Sequence, residues 1–150
     1  MTSANVVLRP AVTSDADNIA RVMRASLGSL PWMPMLHTPD EDLAFISGRV
    51  LPNQTVTVAE AKGRIVGFIA VEGEWIEQLY LDPDWTGHSI GSRLLALATA
   101  NMPVSRLHCF QANDGARRFC ERHGFRAEAF GDGFGNEEGL PDITYVHRGT

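Results

Sequence analysis

Three apolar runs, "TVTVAEA", "RIVGFIAVE" and "WIEQLYLD", follow one another between residues 55 and 82, separated only by "KG" and "EGE". Turns that short join antiparallel neighbours, so the stretch predicts a three-stranded meander. This constrains the rest of the chain strongly. A doubly wound dinucleotide-binding sheet places a helix after nearly every strand, and three strands in direct succession are incompatible with that order.

Around the meander the hydrophobic period alternates between that of a strand and that of a helix. "NVVLRPAV" reads as a first strand, and "TSDADNIARVMRASLG" supplies helix caps, apolar Ile19, Val22, Met23 and Leu27 at helical spacing, and Gly28 as a stop. After the proline-punctuated loop "LPWMPMLH", the run "TPDEDLAFISGRV" opens a second helix with Thr38 as N-cap, Pro39 at its first position and Glu41 completing a capping box. Beyond Gly87, helical spacing puts Ile90, Leu94, Leu97 and Ala98 on one face until Asn101 and Pro103 end it. "VSRLHCF" is then a strand, and Ala112, Ala116, Phe119, Cys120 and His123 line a last helix closed by Gly124. Two strands, "FRAEAFG" and "DITYVHR", flank a Gly-rich acidic loop at 131–141. Neither a repeat nor a linker interrupts the order. The expectation is one domain over residues 1–150, of mixed α/β (α+β) class, with a central twisted, mostly antiparallel sheet flanked by helices.

Composition narrows the function classes. A formal net charge of -5 argues against nucleic acid as a partner, because affinity for the phosphate backbone comes from clustered Lys and Arg. The best apolar stretch, "IVGFIAV", is far short of the roughly 20 residues needed to span a bilayer, so no membrane association is expected. The first residues, "MTSANVVLRP", lack the pattern of a secretory signal. Cys109 and Cys120 are the only cysteines, which indicates neither a disulfide framework nor a metal site and fits a cytoplasmic location.

The stretch "DWTGHSIGSRLL" at 84–95 carries the first chemical signal. A glycine turn running into a helix offers successive backbone N–H groups where the macrodipole also favours an anion. Preceded by "LYLDP" and followed by "NDGARRFCERHGF", it resembles the two sequence motifs of the GNAT superfamily of acetyl-CoA-dependent N-acyltransferases, "(Q/R)xxGx(G/A)" and "NxxAxxFYxxxGF". The element order agrees with that family over nearly the whole chain.

The resemblance implies a site. Thr86, Gly87, His88, Ser89, Ile90, Gly91 and Ser92 would hold the pyrophosphate of acetyl-CoA, chiefly through backbone N–H groups from Gly87 to Ser92. Leu79 and Leu81 would align the pantetheine arm and the acetyl carbonyl through their main chain, with Tyr80 between them and Asn113, Ala116 and Phe119 contributed by the second motif. Two positions depart within the loop: Thr86 stands where the family prefers Gln or Arg, and Ser89 where it prefers Gly. Serine there is harmless only if the backbone at 89 keeps a negative φ.

In the second motif, Cys120 stands where the family's aromatic hydroxyl commonly protonates the departing thiolate. A thiol at its ordinary pKa of about 8.5 could exchange that proton without a large uphill step. The amine acceptor must also lose a proton before it attacks. Glu77, two residues before Leu79 and by simple alternation on its face of the strand, is the first candidate for general base. His37, His108 and His123 are further titratable groups. Trp32, Met33, Met35 and Leu36 on one loop, with Glu137, Glu138 and Asp142 on another, are expected to border the acceptor and to favour a cationic amine, whether small molecule or peptide. The expected function is N-acetyl transfer from acetyl-CoA in a ternary complex. The alternatives are a non-catalytic acyl-CoA-binding module and, from a third class, a dimerisation domain built on the last strands, with a homodimer compatible with any of them.

Overall fold

The computed structural model describes residues 5–149. Its seven strands are β1 (Val6–Pro10), β2 (Thr55–Ala61), β3 (Arg64–Glu72), β4 (Trp75–Leu81), β5 (Val104–Phe110), β6 (Arg126–Gly131) and β7 (Asp142–Arg148). They form one sheet in the order β1-β2-β3-β4-β5-β7-β6. Every neighbouring pair is antiparallel except β4 and β5. The meander expected over 55–82 is β2-β3-β4. The helices of seven residues or more among the described residues are α1 (Ala16–Gly28), α2 (Pro39–Phe45), α3 (Ile90–Thr99) and α4 (Asp114–Arg122), and they flank the sheet.

The two faces of the sheet bury separate clusters. On one, Ile19, Val22 and Met23 of α1 meet Val58 and Phe68, with Ile46 and Val50 from the wider turn that prolongs α2. On the other, Ile90, Leu94 and Leu95 of α3 and Cys120 of α4 pack on Ile69, Leu107 and Tyr145. β3 is covered on both sides, which is why "RIVGFIAVE" reads as a continuous apolar run instead of alternating. Leu97 departs from expectation: the buried stripe of α3 runs through Ile90, Gly91, Leu94 and Leu95, so Leu97 falls at its rim and is 52% exposed.

Local chemistry fixes the helix ends. Thr38 accepts from the Glu41 N–H at 3.2 Å while the Glu41 carboxylate accepts from the Thr38 N–H at 2.8 Å, the capping box read in the sequence. Ahead of α1, Asp15 makes no side-chain bond to the helix but anchors the turn before it: its buried carboxylate accepts from the Val12 N–H at 2.8 Å and from Arg9 at 2.8 and 3.1 Å. The Arg9 bonds, reinforced by that of Val12, hold its pKa below the usual carboxylate value against the opposing effect of burial. A group with a depressed folded pKa stabilises above its unfolded pKa, about 3.9, and that contribution is lost as pH falls through the folded value. Asp15→Asn is therefore expected to lower unfolding free energy by about 2 kcal/mol at pH 7. In urea titrations the gap between variant and parent should narrow below about pH 4.

Candidate active site

β4 and β5 are joined by one residue pair, Trp75 with Arg106, among the described residues. That end is firmly pinned. The Arg106 N–H donates to the Glu74 carbonyl at 2.8 Å, the Arg106 guanidinium reaches the carboxylates of Glu74 at 3.1 Å and Glu128 at 2.7 Å, and the Trp75 ring stacks on His108 with centroids 4.6 Å apart. Immediately afterwards the register with β3 steps from Ile76 opposite Val71 to Gln78 opposite Ala70, leaving Glu77 as an unpaired bulge residue. A bulge bends its strand and adds twist, so β4 turns away from β5 here and a wedge opens between them.

The exposed edge of β4 has a defined polarity. The Asp82 N–H donates to Val66 of β3 at 2.8 Å. Bonding direction alternates along an antiparallel strand, so Tyr80 also faces β3 with its main chain, whereas Leu79 and Leu81 turn theirs toward the wedge. An extended amide ligand could pair with that edge as an added strand does.

A groove of about 580 Å³ continues from the wedge over the start of α3. Leu79 and Leu81 form one wall, the segment 86–92 apart from His88 forms the floor, and Asn113, Ala116 and Phe119 of the α4 region form the other wall. Eleven of the thirteen residues expected at the cofactor thus line one groove; Tyr80 and His88 do not. Tyr80 lies on the opposite face against Phe68, 5.8 Å between ring centroids, and the His88 ring sits 5.4 Å from that of Trp85. Asn113 caps α4, its side-chain oxygen accepting from the Ala116 N–H at 3.1 Å.

The loop is built to present main chain. Gly87 turns it with φ at 82°. The first bond of α3 runs from the Arg93 N–H to the Ser89 carbonyl at 3.1 Å, leaving the N–H groups of Ile90, Gly91 and Ser92 without an intrahelical acceptor. At Gly91 a Cβ would lie 3.4 Å from the Phe119 ring and 3.6 Å from Leu81, so the groove floor here is bare backbone. These features fit a pyrophosphate. Ser89 fails the condition set for it: its φ is 62°, in the left-handed region, and its side chain makes no capping bond. The backbone there is strained by roughly 1 kcal/mol.

Motif reading missed Arg122 and Gly115, which line the groove from α4, and Ser26, which lines it from α1. The Arg122 guanidinium lies over the Phe119 ring at 5.7 Å. Its signal was in the sequence, since three residues separate it from Phe119 and that spacing shares a helix face. It restores a cation to a groove whose loop has Thr86 in place of Gln or Arg. His123 takes no place in the groove. Its Nε2 meets the Ser92 hydroxyl at 2.9 Å, tying α4 to the first turn of α3, and burial, with the Arg122 charge second, lowers its pKa.

Within the wedge, between α1 and α4, lies a cavity of about 170 Å³ lined from both faces of the sheet. Glu77, Tyr80, His108 and the two cysteines line it, together with Leu79 and Phe119, which the groove shares. Simple alternation does not carry through the bulge: Gln78 stands opposite Ala70 and Ile76 opposite Val71, while Glu77 between them has no partner on β3. Glu77 nonetheless lines this cavity together with Leu79. Burial pushes the Cys120 thiol up to about 12 and the Cys109 thiol up to about 11. Burial, with the Glu138 charge second, also raises the Tyr80 phenol to about 12. His37 is bonded instead to Glu137, which raises its pKa.

A family model described as an acetyltransferase (GNAT) domain matches residues 52–127. No curated protein matches the sequence. Among solved structures, the chain is similar to a GCN5-related N-acetyltransferase from Rhodopseudomonas palustris, with 21% identity, a TM-score of 0.76 and coverage of 99% of this chain and 98% of that one. It is also similar to apo YjaB from Escherichia coli, with 18% identity, a TM-score of 0.79 and coverage of 97% and 99%. A PaiA N-acetyltransferase from Thermoplasma acidophilum, solved with coenzyme A, gives 17% identity, a TM-score of 0.74 and coverage of 97% and 99%. At these identities the likeness shows a shared fold.

Two outcomes are expected at the groove. Ser89→Gly relieves the left-handed backbone and should raise unfolding free energy by about 0.5–1 kcal/mol in urea titrations, part of the gain being offset by the freer unfolded chain. Arg122→Ala should weaken coenzyme A binding about tenfold in calorimetry at low salt, and the difference should shrink at 0.5 M salt.

Proposed function

We propose, from the premise that this chain belongs to the GNAT acetyltransferase family, that it moves an acetyl group from acetyl-CoA to a primary amine while both are bound. Bound acetyl-CoA supplies an activated thioester. The observation that carries the reading is the wedge itself: one strand edge, with the main chain of Leu79 and Leu81 turned outward, runs from a row of free helix-start N–H groups to a cavity holding a carboxylate.

Each residue then has a task set by its position. The N–H groups of the segment Gly87 to Ser92 hold the pyrophosphate, with Arg122 as the neighbouring cation. The outward main chain of Leu79 and Leu81 orients the pantetheine amide and offers an N–H to the oxygen that gains charge as the amine attacks. Glu77, directly or through a water, accepts the proton of an ammonium whose pKa near 10 keeps it protonated at neutral pH.

Cys120 forms part of the wall. Donating a proton from a thiol at about 12 to a thiolate near 8.5 is uphill by roughly 5 kcal/mol, so solvent protonates the departing thiolate. The same burial removes the thiolate character that a covalent acyl-cysteine route requires. The second reading, an acyl-CoA-binding module without turnover, draws on the same groove and on the missing acid at Cys120.

Purified protein incubated with acetyl-CoA and an amine panel separates the two: release of free CoA thiol supports transfer, and binding without release supports the module. Glu77→Gln is expected to reduce kcat about 10²–10⁴-fold with coenzyme A affinity unchanged. Cys120→Ala should hold kcat within about threefold, since the thiol contributes no proton. A loss of activity in folded Cys120→Ala as deep as that in Glu77→Gln would reverse the two roles.

A further inference from the structure

The cavity in the wedge constrains what the acceptor can be, and this step rests on the transfer reading above. Toward α1 its walls are Leu27 at the end of α1, Leu30 and Met33 on the following loop, Tyr80 on β4 and Phe110 on β5, and toward α4 it opens onto the groove beside Leu79 and Phe119. Phe110 is backed by the Trp32 ring, edge-on at 5.8 Å. At about 170 Å³ the cavity is close to the roughly 150 Å³ of an apolar void that takes up benzene.

Charge is scarce here. Glu77 is the only carboxylate lining the cavity among the described residues, and Glu138 comes near enough to act on the Tyr80 phenol through its charge. The other acidic groups of the late loop are engaged by the protein: Glu137 is bonded to His37, and Asp142 accepts from Asn136 at 3.4 Å. A polyamine would therefore bring more positive charge than the site can match. The His37 contact with Glu137 also ties the loop after α1 to the loop before β7, the two segments that flank this end of the wedge.

We infer that the acceptor is a small monoamine carrying one apolar body, of the size of a phenyl ring or a branched alkyl chain, which seats among Leu30, Met33 and Phe110 and presents its nitrogen to Glu77. Selectivity then comes from the apolar end, since each buried methylene contributes about a factor of four to binding. The acceptor is then still a cation, as expected from the late acidic loop, but one that carries a single charge.

The test compares 2-phenylethylamine, 3-methylbutylamine, spermidine and a hexapeptide with a free N-terminus as acceptors for acetyl-CoA, alongside calorimetric titration of each into the protein alone. The two monoamines are expected to exceed spermidine and the peptide at least 30-fold in kcat/KM and to be the ones that bind. Leu30→Trp, which fills the cavity from its rim, is expected to raise KM for 2-phenylethylamine tenfold or more with kcat nearly unchanged. Its coenzyme A affinity, unchanged, reports that the protein is folded. Preference for spermidine or for the peptide would overturn this inference and leave acetyl transfer standing. Binding of coenzyme A with no thiol release from any acceptor would overturn the transfer reading, and this inference with it.

Discussion

One parallel rung carries the architecture of the site. Trp75 and Arg106 are the one pair through which β4 and β5 join in the sheet among the described residues, and the bonds of Arg106 to Glu74 and Glu128 clamp that point. Were the strands paired along their length, the main chain of Leu79 and Leu81 would be spent on the ladder and no edge would remain for a ligand. Were they free at both ends, the sheet would fall into two parts. The Glu77 bulge lies at the hinge of the wedge, so the device that opens the gap also places a carboxylate in it.

Recognition by main chain explains why the loop tolerates unusual residues. Thr86 and Ser89 depart from the family pattern, yet the donors that matter are N–H groups, which a side-chain change leaves in place. What the substitutions alter is secondary: Ser89 carries backbone strain, and the cation expected near Thr86 is provided from α4 by Arg122. A site assembled from backbone and one transferable charge can drift in sequence while keeping its shape.

Fold and groove were largely legible in the sequence, for a local reason. Short turns, the Thr38 capping box and the stops at Gly28 and Gly124 are nearest-neighbour signals, and they fix an order of elements that few sheets satisfy. Features that depend on register were not legible. No glycine or proline marks the bulge at Glu77, because it follows from how β4 meets β3, so alternation counted along one strand cannot be carried through it. The conformation of Ser89 likewise depends on the turn closed by Gly87. The pairing of His37 with Glu137 joins residues 100 positions apart, so a loop read as a free acidic patch is partly neutralised.

The two proton transfers of the proposed reaction make unequal demands, and that asymmetry accounts for a buried cysteine where an acid is expected. An alkylammonium with a pKa near 10 is almost entirely unreactive until it is deprotonated, so a base beside it affects every turnover. A thiolate with a pKa near 8.5 departs readily without an acid, and water can protonate it afterwards. Losing the hydroxyl at 120 therefore costs little, provided the carboxylate at 77 remains. The freed position can serve packing instead: Cys120 is 3% exposed within the cluster that seats α4 against Leu107 and Tyr145, and α4 in turn carries Phe119 and Arg122 into the groove.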